Sequence, residues 1–240
     1  MSALDPLTVE QREIRELVRT VTRERIAPRA AEIDRKGEFP WDVVELFREN
    51  ELFGIMFDEA YGGIGASSLM TFVTIEELSK VCATSGVIIA VQELGSLGIK
   101  LAGDEGQKER YLPRLASGEW LAAYALTEPG SGSDSAAMRT TARLEGEEYV
   151  LDGGKRFITN AGVASVYVVF AKTDPDAGHS GISAFVVEAG GRAHRGAVGT
   201  GPGLGERVRG EPLAARQPRQ VPHTLLVGAG ELEPERAELL

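Results

Sequence analysis

Chemistry-bearing residues gather between positions 124 and 134, where the chain reads Tyr124-Ala-Leu-Thr-Glu-Pro-Gly-Ser-Gly-Ser-Asp134. An apolar lead-in over residues 121–126 runs into a glycine turn that exposes backbone N–H groups beside the hydroxyls of Thr127, Ser131 and Ser133. Gly130 and Gly132 would permit close backbone approach and unusual φ, and such a turn suits a bound anion such as a phosphate. A surface turn between two elements satisfies the same composition, so both readings stand at this level. The spacing is neither of two common phosphate loops. No Gly-Lys-Ser/Thr follows it, and no Gly-x-Gly-x-x-Gly opens a helix.

The elements that must position this loop belong to a chain of 240 residues, enough for one large domain or two smaller ones. With 26 Lys and Arg against 36 Asp and Glu the chain is acidic, which argues against nonspecific nucleic-acid binding. A single cysteine, Cys82, excludes an intrachain disulfide framework and a cysteine-based zinc site, and no metal site is expected. No uninterrupted apolar run reaches the roughly 18 residues of a membrane span. The N-terminus carries neither a secretory nor a transit pattern, so a cytoplasmic protein is expected.

Residues 8–27 read as an amphipathic helix. Thr8 and Gln11 have capping-box spacing, and Ile14, Leu17, Val18 and Val21 recur on one face. Pro28 predicts a boundary or kink. A second helix starts near Pro40 with Val43, Leu46 and Phe47 on one face, and residues 57–65 form a glycine-rich connection. A third helix covers residues 68–81, with Leu69, Phe72, Val73 and Leu78 apolar. A fourth, over residues 87–101, begins apolar on nearly every side and is expected to be central and buried. Gln92 and Glu93 interrupt that surface; they could line a ligand cavity, although polar residues near a helix end more commonly face solvent. Asp104 and Gln107 open a fifth helix that contains Pro113 and stops at Gly118.

Beyond residue 121 the pattern changes to strands. Residues 138–144 and 149–151 flank Glu145-Gly146-Glu147 as a hairpin, and residues 165–171 and 182–188 are short apolar runs suited to a small barrel or sandwich. Helices first and strands afterwards predict an α+β chain: a helical domain over 1–120 and a β-barrel domain over 121–190. Residues 191–240 contain no Ser, Asp, Asn, Lys, Ile, Met, Cys or aromatic residue, so a tail of low order is expected there, with residues 221–227 a candidate strand and 231–240 a candidate helix.

These motifs together resemble the acyl-CoA dehydrogenase family of flavoproteins. Tyr124 to Asp134 is similar to the family's flavin signature, and Lys155-Arg-Phe-Ile-Thr-Asn160 to its second flavin motif. Tyr61-Gly-Gly-Ile-Gly65 and Gln107-Lys-Glu-Arg-Tyr-Leu-Pro-Arg-Leu115 also have family counterparts, and the resemblance runs from residue 7 to 189. It implies a helical N-terminal domain, a small β-barrel and bound FAD. By position, Tyr124, Leu126 and Thr127 would run along the flavin ring, Thr127 bonding its pyrimidine edge and stabilising charge that builds there on reduction. Gly132 and Ser133 would meet the pyrophosphate, and Ser133 would also border the substrate. Phe157 would stack near the isoalloxazine, Ile158 stands beside it, and Thr159 would reach the region of N5; an ordinary core aromatic is the alternative for Phe157. Asp134 is expected to fix the loop by local hydrogen bonds.

The family reaction the resemblance implies removes an α-proton with a glutamate base while the β-hydride passes to the flavin. Enoyl-CoA is released, and electrons leave through an electron-transfer flavoprotein. Acyl-CoA and that flavoprotein are therefore the expected partners, with a homotetramer as the family assembly. The glutamate base lies in a second helical domain that relatives carry after the barrel, so no catalytic residue is expected within these 240 residues. The loss of ten residue types directly after Phe185-Val-Val-Glu-Ala-Gly190 points to a reading-frame error or truncation over 191–240, testable by reading the encoding DNA in its other two frames. An incomplete barrel with open edges and little turnover would follow. Competing readings are an acyl-CoA oxidase or flavin monooxygenase of the same fold, and a non-catalytic scaffold that keeps the fold.

Overall fold

Thr8 starts the first helix as the sequence predicts. Its side chain accepts from the Gln11 N–H while the Gln11 side chain accepts from the Thr8 N–H, closing a capping box at the head of α1, Val9–Val21. The computed structural model describes residues 7–146 and 148–189, together with the backbone of Val208–Pro212. Helix α1 buries Val18 and Val21, whereas Leu17 lies on the exposed side. At the predicted kink the chain passes through a π turn, Thr22–Ile26, and a 3-10 turn, Ala27–Arg29, into α2, Ala30–Lys36. Pro28 supplies no N–H and disfavours regular helix at Ala27, which accounts for the irregular turns.

Helix α3, Trp41–Glu49, is followed by α4, Ser68–Ser79, α5, Ala83–Ala102, and α6, Glu105–Ala116. A bidentate ion pair locks α1 to α4: Arg19 Nε and Nη2 lie 3.1 and 2.8 Å from the two oxygens of Glu77, a carboxylate almost wholly out of solvent. The second capping box, Asp104 with Gln107, forms as predicted at the head of α6. That helix runs past Pro113 to Ala116, and Gly118 then takes φ 73° to turn the chain toward the strands.

Helix α5 is central, as expected, packing against α4, α6 and β1, but it is buried on one side only. Ile88, Ile89 and Ile99 are in the core, but Val87, Leu94 and Leu101 are exposed, as are Leu69 and Phe72 on α4, because no element among the described residues covers that side. Gln92 corrects the sequence reading in the other direction. It is completely buried, and its amide donates to the carbonyls of Leu115 and Trp120, each at 2.9 Å, while accepting the Ala122 N–H at 2.9 Å. Glu93 pairs with Lys100.

Six strands form one mixed sheet: β1, Ala122–Ala125; β2, Thr141–Glu145; β3, Glu148–Asp152; β4, Val166–Lys172; β5, Ile182–Glu188; and β6, Val208–Pro212. The predicted β2–β3 hairpin is present, with Thr141 opposite Asp152. Strand β4 runs antiparallel to β5 over its whole length and parallel to β1 along its first half; Thr141 of β2 meets Lys172 at its far end. Because β6 pairs with both β3 and β5, strands β4, β2, β3, β6 and β5 follow one another around a closed ring. Residues 208–212 are thus a strand within the tail expected to lack order. The candidate strand at 221–227 and helix at 231–240 lie outside the described residues.

Alternation along the strands sorts their side chains between two cores. Ala122, Val166, Val168 and Val186 join the helical core, while Ala123, Ala125, Tyr167, Val169, Ala171, Phe185 and Val187 fill the barrel. Helix α5 lies against β1 so closely that a Cβ on Gly95 would stand 2.7 Å from the Ala122 Cβ. This contact, with the Gln92 bonds, sets where β1 begins and therefore where the loop after it points.

Candidate functional site

Strand β1 delivers Tyr124 on its helix-facing side, where the ring packs against Phe170 at a centroid distance of 4.9 Å. Burial pushes its phenol pKa upward, so the hydroxyl stays neutral. After Leu126 and Thr127 the chain reverses tightly, with Glu128 N–H to Ser131 O at 2.9 Å and Ser131 N–H to Glu128 O at 3.2 Å. Ser131 is buried, and its hydroxyl donates to the Asp134 carbonyl at 2.8 Å. This removes Ser131 from the expected donors: its hydroxyl closes the loop. Asp134 does fix the loop locally, as expected, but through its backbone carbonyl, which also accepts from Ala137 N–H. Gly130 and Gly132 have no positive φ, contrary to expectation. What they offer is room, since a Cβ at either would meet nothing within 4 Å.

The second motif docks onto the first through backbone and charge. Arg156 N–H donates to Thr127 O at 2.8 Å. Lys155 Nζ lies 2.7 Å from Glu128 Oε1 and 3.0 Å from Leu126 O, and both ionised side chains are nearly solvent-free at 3% and 5% exposure. Glu128 is held further by the N–H groups of Arg139, at 2.6 Å, and Thr140, at 3.1 Å, and by the Thr140 hydroxyl. Burial alone would raise its pKa, but the Lys155 ammonium, the Thr140 hydroxyl and the Arg139 N–H outweigh that and hold it below the ordinary carboxylate range. The carboxylate is therefore ionised and has Lys155 as its counter-ion.

Phe157 follows at once, and it is not a core aromatic. Its ring is 79% exposed on a backbone with φ 60°, and the Arg156 guanidinium sits 4.7 Å from the ring centroid. A bulky residue in the left-handed region is strained, and here its apolar ring is also left in solvent. Ile158 instead packs against the barrel core and Thr159 is exposed. Asn160, also left-handed at φ 66°, donates its side-chain amide to Ala122 O at 3.0 Å, tying the end of the second motif to the start of β1.

The structure thus brings together Leu126 and Thr127 with residues 155–157. No described hydrogen bond or ring contact links Gly132 or Ser133 to Phe157 or Thr159; they stand at the other end of the turn. The hydroxyls of Thr127, Ser133 and Thr159 have no partner among the described residues. Sequence reasoning missed Glu128, Lys155 and Asn160 as the groups that join the motifs. The available signal was an acid inside one motif and a base opening the other. The arrangement suits a flat aromatic ligand with polar edges: an exposed ring to stack on, free hydroxyls beside it, and open glycine backbone where a phosphate could approach. Among the described residues no cluster of His, Cys, Asp or Glu could hold a metal ion.

A helical domain joined to a small mixed barrel carries the exposed Phe157 ring and the loop hydroxyls that follow β1. Residues 8–119 match the N-terminal domain, and residues 123–206 the middle domain, of acyl-CoA dehydrogenases. The chain belongs to the acyl-CoA dehydrogenase family, which uses FAD. A short-chain specific acyl-CoA dehydrogenase of Clostridium acetobutylicum is 46% identical over 185 residues, 77% of this chain and 49% of its own. The solved butyryl-CoA dehydrogenase from Megasphaera elsdenii superposes with a TM-score of 0.73 at 35% identity, covering 78% of this chain and 50% of that one. An acyl-CoA dehydrogenase complexed with FAD from Bacillus anthracis gives 0.70 at 34% identity, covering 87% and 36%. The chain spans about half the length of the curated relatives it matches.

Proposed function

We propose that this chain forms one wall of the FAD site of an acyl-CoA dehydrogenase, serving α,β-dehydrogenation of an acyl-CoA thioester with electrons passed to an electron-transfer flavoprotein. The observation that carries the reading is the junction of the two motifs. Thr127 O accepts Arg156 N–H at 2.8 Å, which sets the free Thr127 hydroxyl beside a segment whose next residue, Phe157, is strained and 79% exposed. Bound FAD would supply the two-electron acceptor for the β-hydride. Tyr124, Leu126, Thr127, Phe157, Ile158 and Thr159 would orient the ring, and Gly132 and Ser133 would meet the diphosphate, Ser133 also bordering the thioester.

The α-proton needs a base, and Glu128 is not available for that role. Its carboxylate is buried under Lys155, Thr140 and Arg139, all directed at its two oxygens. The reading takes the base from outside the described residues, which by themselves would show little turnover. Titrating the purified protein with FAD tests the reading: quenched flavin fluorescence and a shifted absorption band are expected, with bleaching by acyl-CoA slow or absent. A protein that shows no FAD binding would overturn it, and rapid bleaching by acyl-CoA would overturn the assignment of the base.

A further inference from the structure

Lys155 lies beneath the loop, hidden from any ligand, and it grips one peptide from behind. Its ammonium donates to Leu126 O at 3.0 Å and to Glu128 Oε1 at 2.7 Å, with the Met138 sulfur 4.0 Å away. The Leu126–Thr127 peptide is trans, since the described residues include no cis bond, so its N–H points opposite its carbonyl and away from Lys155. Neither that Thr127 N–H nor the Thr127 hydroxyl has a partner among the described residues. The next carbonyl, Thr127 O, is fixed by Arg156 N–H at 2.8 Å. One peptide is therefore clamped on its buried side by a cation and left open as a donor on the other.

A cation on a carbonyl oxygen makes a charge-assisted bond, and it polarises the amide so that the N–H at its far end becomes a stronger donor. Burial of the pair strengthens this, because there is little water to screen it. Glu128 is what permits the charge to be there. Without a counter-ion, burial would drive the lysine toward its neutral form, and the polarisation would be lost.

We propose that Lys155 is a positioning residue for the flavin, acting through the Leu126–Thr127 peptide to strengthen the Thr127 N–H as a donor to the negative charge that reduction places on a bound flavin. The inference rests on the FAD reading above. It predicts that removing the buried charge lowers the reduction potential more than it weakens binding of oxidised FAD, because a stronger donor matters most when the acceptor is anionic.

The test uses the full chain with FAD and compares wild type, the neutral double variant Glu128→Gln/Lys155→Gln and the charge-retaining Lys155→Arg. Affinity for oxidised FAD is read by fluorescence quenching and the midpoint potential by equilibration with reference dyes. For the neutral pair, a roughly tenfold loss specific to reduced FAD is expected, equivalent to a midpoint about 30 mV lower for a two-electron couple. Lys155→Arg should restore the wild-type potential. An unchanged potential in a neutral pair that still binds FAD overturns the proposal while leaving the FAD reading intact. Loss of the circular dichroism of the folded protein in the neutral pair overturns it in favour of a purely structural role, as does a lowered potential that Lys155→Arg fails to restore. A wild type that binds no FAD overturns the functional reading itself, and this inference with it.

Discussion

Gln92 of α5 accepts the Ala122 N–H at 2.9 Å, and the carbonyl of the same Ala122 accepts the Asn160 amide at 3.0 Å. The first residue of β1 is therefore held from the helical side and from the second motif at once. Its position decides where Tyr124, Leu126 and Thr127 stand, because a strand advances only about 3.3 Å per residue and a one-residue slip would exchange its two faces.

Gln92→Leu should show this directly. The substitution keeps the volume but strands the Ala122 N–H and the Trp120 carbonyl, while the Leu115 carbonyl keeps the Gly118 N–H. Each buried group stranded in this way costs about 1–3 kcal/mol, so a loss of about 3 kcal/mol or more is expected in urea denaturation. A change below about 0.5 kcal/mol, the range of ordinary surface substitutions, would show that Gln92 does not hold the junction.

The Arg19–Glu77 pair predicts an acid dependence. Arg19 above all, with Lys80, pulls the Glu77 pKa from 4.5 down to about 2 against the opposing effect of burial. The folded state thus binds fewer protons than the unfolded chain between these values. The stabilisation is complete above pH 4.5 and is lost as pH falls toward 2. At about 1.4 kcal/mol per unit the shift corresponds to about 3 kcal/mol. Glu77→Gln should therefore lower stability near neutral pH by about that amount, with the difference from wild type shrinking steadily in acid. A pH-independent difference in urea midpoint would contradict this origin.

Much of the scaffold was legible because local chemistry and tertiary structure agree. Both capping boxes, the kink at Pro28 and the β2–β3 hairpin are decided by neighbours in sequence. What was not legible depends on partners far along the chain. Gln92 looked like a solvent-facing polar residue because its acceptors and donor lie 23 to 30 residues away. Strand β6 was hidden in a Gly- and Arg-rich stretch, since pairing to β3 and β5 can order backbone that has little apolar side-chain volume. At the site, composition marked Ser131 as a donor to ligand, and only the fold shows its hydroxyl turned inward to Asp134 O. The exposure of Phe157 was equally beyond the sequence, because an aromatic between Arg and Ile fits a core position as well as a surface one.

Glu128→Ala should be among the most destabilising single changes in the barrel. It strands a buried ammonium, a class of change that costs about 3–5 kcal/mol. Burial already pulls the Lys155 pKa below 10.5 in the wild type, and removing its counter-ion lowers it further. In the variant the folded chain then binds fewer protons than the unfolded one, so its stability should rise as pH increases above neutral, until Lys155 is neutral in the unfolded chain as well. Urea midpoints of the variant that do not rise from about pH 7 to about pH 10 would show that the ammonium had found another partner.

Phe157→Gly separates what the residue does for the fold from what it does for a ligand. The left-handed backbone at φ 60° penalises a side chain by about 1–2 kcal/mol, whereas glycine carries no such penalty but loses about 0.5–1 kcal/mol in chain entropy. The ring is 79% exposed, so little burial is lost with it. The variant should consequently be as stable as wild type or more stable by up to about 1 kcal/mol, an unusual result for deleting a phenylalanine, since burying one contributes about 1.5–3 kcal/mol. Its affinity for FAD should move the opposite way, falling about tenfold if stacking on the ring is worth roughly 1.4 kcal/mol. Thermal denaturation without FAD and fluorescence titration with it measure the two effects on one sample. A variant that loses stability would place the ring in the packing of the fold. One that keeps full FAD affinity would show that the strain at Phe157 serves a surface other than the flavin site.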